Sequence, residues 1–328
     1  MKRIGNIFDS ICSTENLYAA YEKAKKGKGK RYGVVLFEKD LGANLSALQR
    51  ELIEGTYKTS EYDVFMVFDP KERTVYRLPF RDRIVHHAIM NILEPIWTSI
   101  FITHTYSCIK GRGIHRVLKH LKRDLQDVAN TQYCLKLDVK KFYPSIDHDV
   151  LEQIIRRKIK DVRLLDLLDG IIDSAPGVPI GNYLSQFFAN LYLAYFDHWL
   201  KEDKQVRYYY RYADDIVILG PNKPYLHGLL VEINDYLFTR LSLQLKKNYQ
   251  VFPVDVRGID FVGYVFRHTH ILLRKSIKKN LCKKAARLNK LELSAKEYKR
   301  QVCPWLGWAK HCNSKHLLKT VLQYEKVC

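Results

Sequence analysis

Three acidic residues stand where acids are costly. Asp138 closes the apolar run Cys134-Leu135-Lys136-Leu137, and Asp214-Asp215 interrupt two apolar runs at 208–219, the pattern of a hairpin with carboxylates at its tip. Two unit charges about 4 Å apart repel by about 4 kcal/mol at an effective dielectric near 20, so acids gathered in such surroundings call for a compensating cation. Carboxylate oxygens suit a hard ion such as Mg2+, and two such ions let a nucleotidyl transferase activate a primer hydroxyl and neutralise a leaving pyrophosphate. Taken alone, an Asp-Asp pair reads as no more than a polar turn.

The elements that would position these acids are legible in the patterning. Residues 133–139 read as a strand ending in Asp138, and 208–219 as the hairpin. Between them a turn-rich stretch at 176–181 leads into a helix over 183–200, with Phe187, Phe188, Leu191 and Tyr195 facing inward. Upstream, helices are expected over 16–26 and over 41–54, where Leu41, Leu45, Leu48 and Leu52 recur at helical spacing before Gly55 stops the helix. Strands at 62–68 and 74–78 flank an Asp69-Pro70 turn, and a longer helix covers 82–97. From Arg267 onward Lys and Arg become dense, and 276–293 and 295–308 read as basic helices of a separate subdomain. Strands and helices alternate in α+β fashion.

With 328 residues, 47% apolar and 12% aromatic, the chain can bury a sizeable core and is no disordered basic tail. Lys and Arg number 55 against 35 Asp and Glu; the surplus of +20 is spread along the chain and attracts polyanions. No stretch reaches the roughly 18 to 20 continuous apolar residues of a spanning helix, which argues against an anionic membrane as the partner. The start, Met1-Lys2-Arg3-Ile4-Gly5-Asn6, lacks a secretion signal, so a soluble cytoplasmic protein is expected. Seven cysteines without a CxxC pair support neither a disulfide framework nor a zinc knuckle. Cys303, His311 and Cys312 are conceivable metal ligands, but the intervening Trp305, Leu306 and Trp308 suggest a buried helix instead.

The acids do not occur alone. Tyr212-Ala213-Asp214-Asp215 resembles the YxDD box of reverse transcriptases, and other boxes of that family stand in its order. Leu137-Asp138-Val139-Lys140-Lys141-Phe142-Tyr143-Pro144-Ser145-Ile146-Asp147 is similar to the preceding catalytic strand, Pro179-Ile180-Gly181-Asn182-Tyr183-Leu184-Ser185-Gln186 to the template-contacting loop and helix start, and Phe261-Val262-Gly263-Tyr264 to the primer-grip hairpin. Residues 77–85 resemble the fingers segment that holds the incoming triphosphate. Residues 106–113 resemble the neighbouring element of group II intron relatives, and 305–314 their thumb. The resemblance covers nearly the whole chain. It implies an α+β right-hand polymerase, with fingers over 1–130 (including part of the palm), palm with the catalytic motifs and primer grip over 131–266, and a basic helical thumb over 267–328.

It also implies roles. Asp138 and Asp214 become the principal ligands of two Mg2+ ions, for which Mn2+ can substitute, with Asp215 a secondary acid and the Val139 carbonyl a further oxygen. Tyr143 lies where the family places its sugar gate, favouring deoxynucleotides. Arg77 is the first candidate for the dNTP phosphates, since guanidinium binds phosphate bidentately; Lys71, Arg73 and Arg81 are further candidates. Lys246 is similar in placement to the lysine that assists pyrophosphate departure, with Lys247 an open alternative beside it. Ile180 and Gly181 face the nucleotide, Gly181 allowing close backbone approach to the template–primer; alternatively, it is only a turn residue at the helix start. Ser185, Gln186, Tyr212, Phe261, Gly263 and Tyr264 contact template and primer; alternatively, the 261–264 hairpin only packs palm on thumb.

Many family members carry Gln-Gly in the loop and Ser-Pro at the helix start, whereas this chain has Ile180-Gly181 and Ser185-Gln186. The I-G-N-x-x-S-Q form resembles the enzymes of diversity-generating retroelements, bacterial or phage systems that copy a template-repeat RNA into adenine-mutagenised cDNA. Isoleucine offers shape but no polar readout near the nascent pair, a physical basis for low discrimination. That resemblance implies as partners the template RNA, its cDNA and a small basic accessory protein that forms a pentameric ring. No ribonuclease H, endonuclease or maturase extension is recognised. The alternatives are a group II intron-like, retron or antiviral-defence reverse transcriptase and, in another class, a non-catalytic RNA-binding protein.

Overall fold

Strand β1 (Asp63–Phe68) pairs with β2 (Glu72–Arg77) in an antiparallel hairpin, with Asp63 opposite Arg77. In this computed structural model, residues 2–68 and 72–323 are described; Lys71 and the Asp69-Pro70 turn lie outside them. A second sheet is ordered β4-β5-β3-β6, from β3 (Tyr133–Asp138), β4 (Tyr208–Tyr212), β5 (Asp215–Gly220) and β6 (Gln250–Pro253), all antiparallel. Its centre is apolar: Leu135, Leu137, Ile216, Val217 and Ile218 are fully buried. A third sheet joins β7 (Ile259–Phe261), β8 (Tyr264–Phe266) and β9 (Ile271–Leu273).

The backbone divides into two compact units, each assembled from separate stretches of chain. One comprises Met1–Cys108, Val139–Lys204 and Asn234–Leu245; the other Ile109–Asp138, Gln205–Ile233 and Lys246–Cys328. In the first unit, helix Thr14–Lys25 begins where the Ser13 hydroxyl accepts from the Asn16 amide, and helix Leu41–Ile53 where the Asp40 carboxylate accepts from Ala43. The latter buries Leu45, Leu48 and Leu52 and stops at Gly55, whose φ of 69° is the left-handed conformation glycine tolerates. Helix Phe80–Thr98 carries ten buried residues, among them Ile84, Val85, Ile89 and Trp97, and holds this unit together.

The single helix expected over 183–200 is broken. Helix Tyr183–Tyr192 ends at Leu193, whose φ of −97° and ψ of 1° leave the helical region, and a short helix Ala194–His198 follows. Tertiary hydrogen bonds fix the second piece. The fully buried Asp197 accepts from Thr105 Oγ1 at 2.8 Å, and His198 Nε2 lies 2.8 Å from the Ile100 carbonyl. No Gly or Pro marks this break in the sequence.

In the second unit, helix Lys275–Leu288 is followed by helix Ala295–Ala309, which starts in a reciprocal capping box between Ser294 and Glu297. Trp305, Leu306 and Trp308 on that helix are half-buried rather than buried, because only one side of it, through Tyr298, Val302 and Ala309, is sealed. No helix among the described residues is long and apolar enough to cross a membrane.

Candidate active site

Asp138 and Asp215 are direct cross-strand partners at the end of the β3–β5 ladder, so their carboxylates leave the sheet on the same face. Asp214 precedes Asp215 in the two-residue turn Ala213-Asp214 that joins Tyr212 to Asp215. Ala213 adopts φ 55°, a left-handed conformation uncommon for a residue with a Cβ. The turn is braced from behind by Arg211, a fully buried arginine whose Nη1 donates to the Ala213 carbonyl at 3.1 Å.

The electrostatics of this cluster are unfavourable to its own charges. Burial, then repulsion from Asp138, raises the Asp214 carboxyl above its ordinary value. Burial pushes Asp215 up to about 6, with Asp138 and Asp214 adding to the rise and Lys136 opposing it. Asp215 Oδ1 is shut off from solvent without a hydrogen bond; the Lys136 ammonium stands 3.5 Å away, an ion pair by distance but not a hydrogen bond. Lys136 instead donates to the Asp260 carbonyl. The periodicity of β3 holds the clue to Lys136, since it precedes Asp138 by two and shares its face.

Of the two lysines, Lys246 reaches the cluster. Its Nζ donates to Asp138 Oδ2 at 2.5 Å and its amide to the Asp138 carbonyl at 2.9 Å, whereas Lys247 is exposed. Three carboxylates thus face two ammonium groups, and one buried carboxylate oxygen is left without a hydrogen bond. That donor set fits a hard divalent cation. No group of three or more His, Cys, Asp or Glu among the described residues is gathered into a ligand cage of its own. The Cys303, His311 and Cys312 trio is not gathered as a metal site either, and Cys303 is exposed.

Phe261, Gly263 and Tyr264 form a tight β7–β8 turn in the same unit. Phe261 and Tyr264 are fully buried, and Tyr264 Oη donates to the Trp308 carbonyl at 3.0 Å. A Cβ on Gly263 would lie 2.5 Å from Trp308 Cζ3. These side chains therefore pack the hairpin on helix Ala295–Ala309. Tyr212, at the end of β4, is half-buried.

The remaining candidates lie in the first unit. Ile180 and Gly181 are docked on β2: the Tyr76 amide donates to the Ile180 carbonyl at 2.8 Å, and a Cβ on Gly181, at φ 123°, would meet the Tyr76 carbonyl oxygen at 2.5 Å. Gly181 is required for this approach of backbone to backbone. Tyr143 is half-buried, and its carbonyl accepts from the Val178 amide at 2.9 Å. Val139 is fully buried, so only its backbone oxygen can serve a ligand. Ser185 is buried and Gln186, one residue on, exposed. Arg77 is exposed and pairs with Asp63, while Arg81 is committed to Glu51 and the Tyr57 ring; Arg73 is exposed on β2. A cleft of about 540 Å³ gathers Lys23, Lys26, Lys28, Arg77 and Arg83 beside Gly181 and Gln186, a basic pocket within this unit. His87 stacks on Tyr183 at 4.6 Å along its wall, and burial, then Arg83, pulls its imidazole down to about 4, so it is neutral.

Residues 69–266, well over half of the chain, match the reverse transcriptase (RNA-dependent DNA polymerase) family. The chain belongs to that family. This reverse transcriptase is similar to protein YkfC of Escherichia coli K12, at 28% identity over 284 residues that cover 72% of each chain. It is similar to the group II intron-encoded protein LtrA of Lactococcus lactis at 24% identity over 204 residues, 57% of this chain but 34% of LtrA; it thus spans about a third of that relative. Among solved structures, apo telomerase from Candida tropicalis superposes with a TM-score of 0.51 at 11% identity, covering 68% of this chain and 52% of that one. The fold is the α+β right-hand polymerase fold, and the enzyme class is RNA-directed DNA polymerase.

Proposed function

We propose that this reverse transcriptase copies a template-repeat RNA into adenine-mutagenised cDNA for a diversity-generating retroelement. The observation that carries the reading is Ile180-Gly181-Asn182 with Ser185-Gln186 at the head of helix Tyr183–Tyr192. Ile180 presents a half-buried apolar side chain where a glutamine would offer an amide, so discrimination against a misaligned pair rests on shape alone. A small basic ring-forming accessory protein and the element's structured RNA are the partners this reading carries.

In the proposed mechanism fingers span 1–130, palm 131–266 and thumb 267–328. Asp138 and Asp214 would hold two Mg2+ ions, which Mn2+ could replace, and Asp215 and the Val139 carbonyl would supply further oxygens. When bound, the ions supply activation of the primer 3′-hydroxyl and neutralisation of the pyrophosphate. The Lys246 ammonium, seated on Asp138, holds the proton that the leaving pyrophosphate takes. Arg77, released from Asp63, engages the triphosphate bidentately, and the Tyr143 ring excludes a ribose 2′-hydroxyl. The backbone at Gly181 fixes the nucleotide-facing loop to β2, Ser185 holds the helix start from within, and Gln186 and Tyr212 reach template and primer. Phe261, Gly263 and Tyr264 set the primer end from inside the hairpin.

The test is to replace Ile180 by Gln and sequence cDNA made on a defined RNA. The reading expects errors opposite adenine to fall; an unchanged adenine error rate removes it. Similarity to the group II intron-encoded protein LtrA favours a second reading, a group II intron-like enzyme without adenine-directed errors. The same sequencing separates the two, because that enzyme would show no excess of errors at adenine before substitution.

A further inference from the structure

The second unit carries a cleft of about 470 Å³ whose lining is cationic. His115, Lys119 and Lys122 come from helix Ile114–Asp124, Arg267 from the turn between β8 and β9, and Lys310 and His311 from the end of helix Ala295–Ala309. No carboxylate lines it. It lies at the far end of the sheet from the aspartates: His268 in its wall is 3.0 Å from Thr131 Oγ1, and Thr131 stands just before β3, whose other end is Asp138. Seven residues of extended chain at about 3.3 Å each put it about 20 Å from the acids.

Helix Ile114–Asp124 is built to hold those charges outward. It buries Val117, Leu118 and Leu121 on one side and leaves Lys119 and Lys122 exposed on the other. Lys119, Lys122 and Lys310 make no salt bridge among the described residues, so their charge is uncompensated. Inside the cleft the His115 and His311 rings lie 4.2 Å apart at a 37° tilt, and His311 Nε2 is buried without a hydrogen-bond partner. Burial, then the neighbouring His115 and Lys310, holds the His311 imidazole below its ordinary value and keeps it a neutral aromatic face.

A divalent cation would be repelled here. A helical duplex presents a broad convex surface and cannot enter a recess of this size, whereas one or two nucleotides can. Unpaired RNA is recognised through phosphates on basic side chains and bases stacked on aromatic rings, histidine included. We propose that this cleft binds an unpaired segment of RNA outside the template–primer, with phosphates on Lys119, Lys122 and Lys310 and a base against the His115–His311 pair. The site is independent of the retroelement reading; any structured RNA with an open loop can occupy it.

The test uses the full chain, a fluorescent RNA hairpin with an unpaired adenylate loop, and a short blunt RNA–DNA primer–template. The triple variant Lys119→Glu, Lys122→Glu, Lys310→Glu should bind the loop RNA about tenfold or more weakly, with a salt slope smaller by about 2 for three single-strand phosphates. Extension of the short primer–template should be unchanged. The milder Lys→Gln triple should show the same direction, which guards against a folding defect of the charge reversal. Unchanged loop affinity in both triples overturns the proposal. Equal loss on loop RNA and blunt duplex overturns it too, because that result reports a diffuse surface field rather than a cleft.

Discussion

Two hairpin tips in the same unit are built on the same two-residue plan and spend it differently. At Phe261-Val262-Gly263-Tyr264 both turn residues are left-handed, φ 44° at the β-branched Val262 and 91° at Gly263, so this tip too carries backbone strain; the flanking rings are fully buried and Gly263 is sealed against Trp308. At Tyr212-Ala213-Asp214-Asp215 the left-handed position falls on alanine, which costs about 1 kcal/mol, and the tip carries two raised carboxyls, one with a buried oxygen lacking a hydrogen bond. Both tips carry a left-handed residue with a Cβ, but one is sealed by packing, while the other holds like charges that a cation would relieve. The gathered carboxyls, and not the backbone, are what set the 212–215 tip apart as a candidate site.

Apart from the aspartates themselves, the largest effect that sharpens this contrast concerns the lysine at the charged tip. Lys246→Ala should slow nucleotide incorporation by about a hundredfold, the size of a lost general acid, while Lys247→Ala stays near the parent in single-turnover kinetics. Equal losses would break the assignment drawn from the Asp138 contact.

At the packed tip, Gly263→Ala should lower stability by about 2 to 3 kcal/mol in denaturant unfolding, since its Cβ would meet Trp308 at 2.5 Å and Ile277 at 2.9 Å at a φ of 91°. At the charged tip the sign reverses: Ala213→Gly should stabilise by about 0.5 to 1 kcal/mol.

The smallest effect is a pH dependence. A carboxyl whose folded value lies above its unfolded one favours the folded state when protonated. The contribution of Asp215 is therefore full below about 3.8 and lost as pH rises through about 6. Melting of the metal-free protein across that window should decline less in Asp215→Asn than in the parent, and Asp215→Asn at equal slope would show the group to be unperturbed. The 261–264 tip carries no carboxyl and should contribute nothing there.

Much of this was legible before the structure. Strands β3, β4 and β5 and the aspartates that end them follow from apolar runs punctuated by acids, because the alternation of a strand ties residue type directly to face. The break at Leu193 was not, because it depends on Asp197 meeting Thr105 from ninety-two residues away. Arg211 and Lys136 were passed over for the same reason: their task is set by the Ala213 carbonyl and by Asp215, partners that become adjacent only through strand pairing. At Gly181 the oxygen that forbids a side chain belongs to Tyr76, a neighbour more than a hundred residues away that no local pattern reveals. The choice between Lys246 and Lys247 also needed coordinates, since the two are neighbours in sequence and only one turns toward Asp138.

The central claim is that Asp138, Asp214 and Asp215 share divalent ions in the polymerase reaction, and primer extension on an RNA template with Mg2+ tests it most directly. Asp214→Asn should lose about a thousandfold or more of the extension rate, because a ligand charge is removed, while affinity for the template RNA is retained on the basic surface. An Asp214→Asn enzyme that extends primers at close to the parent rate would contradict the account.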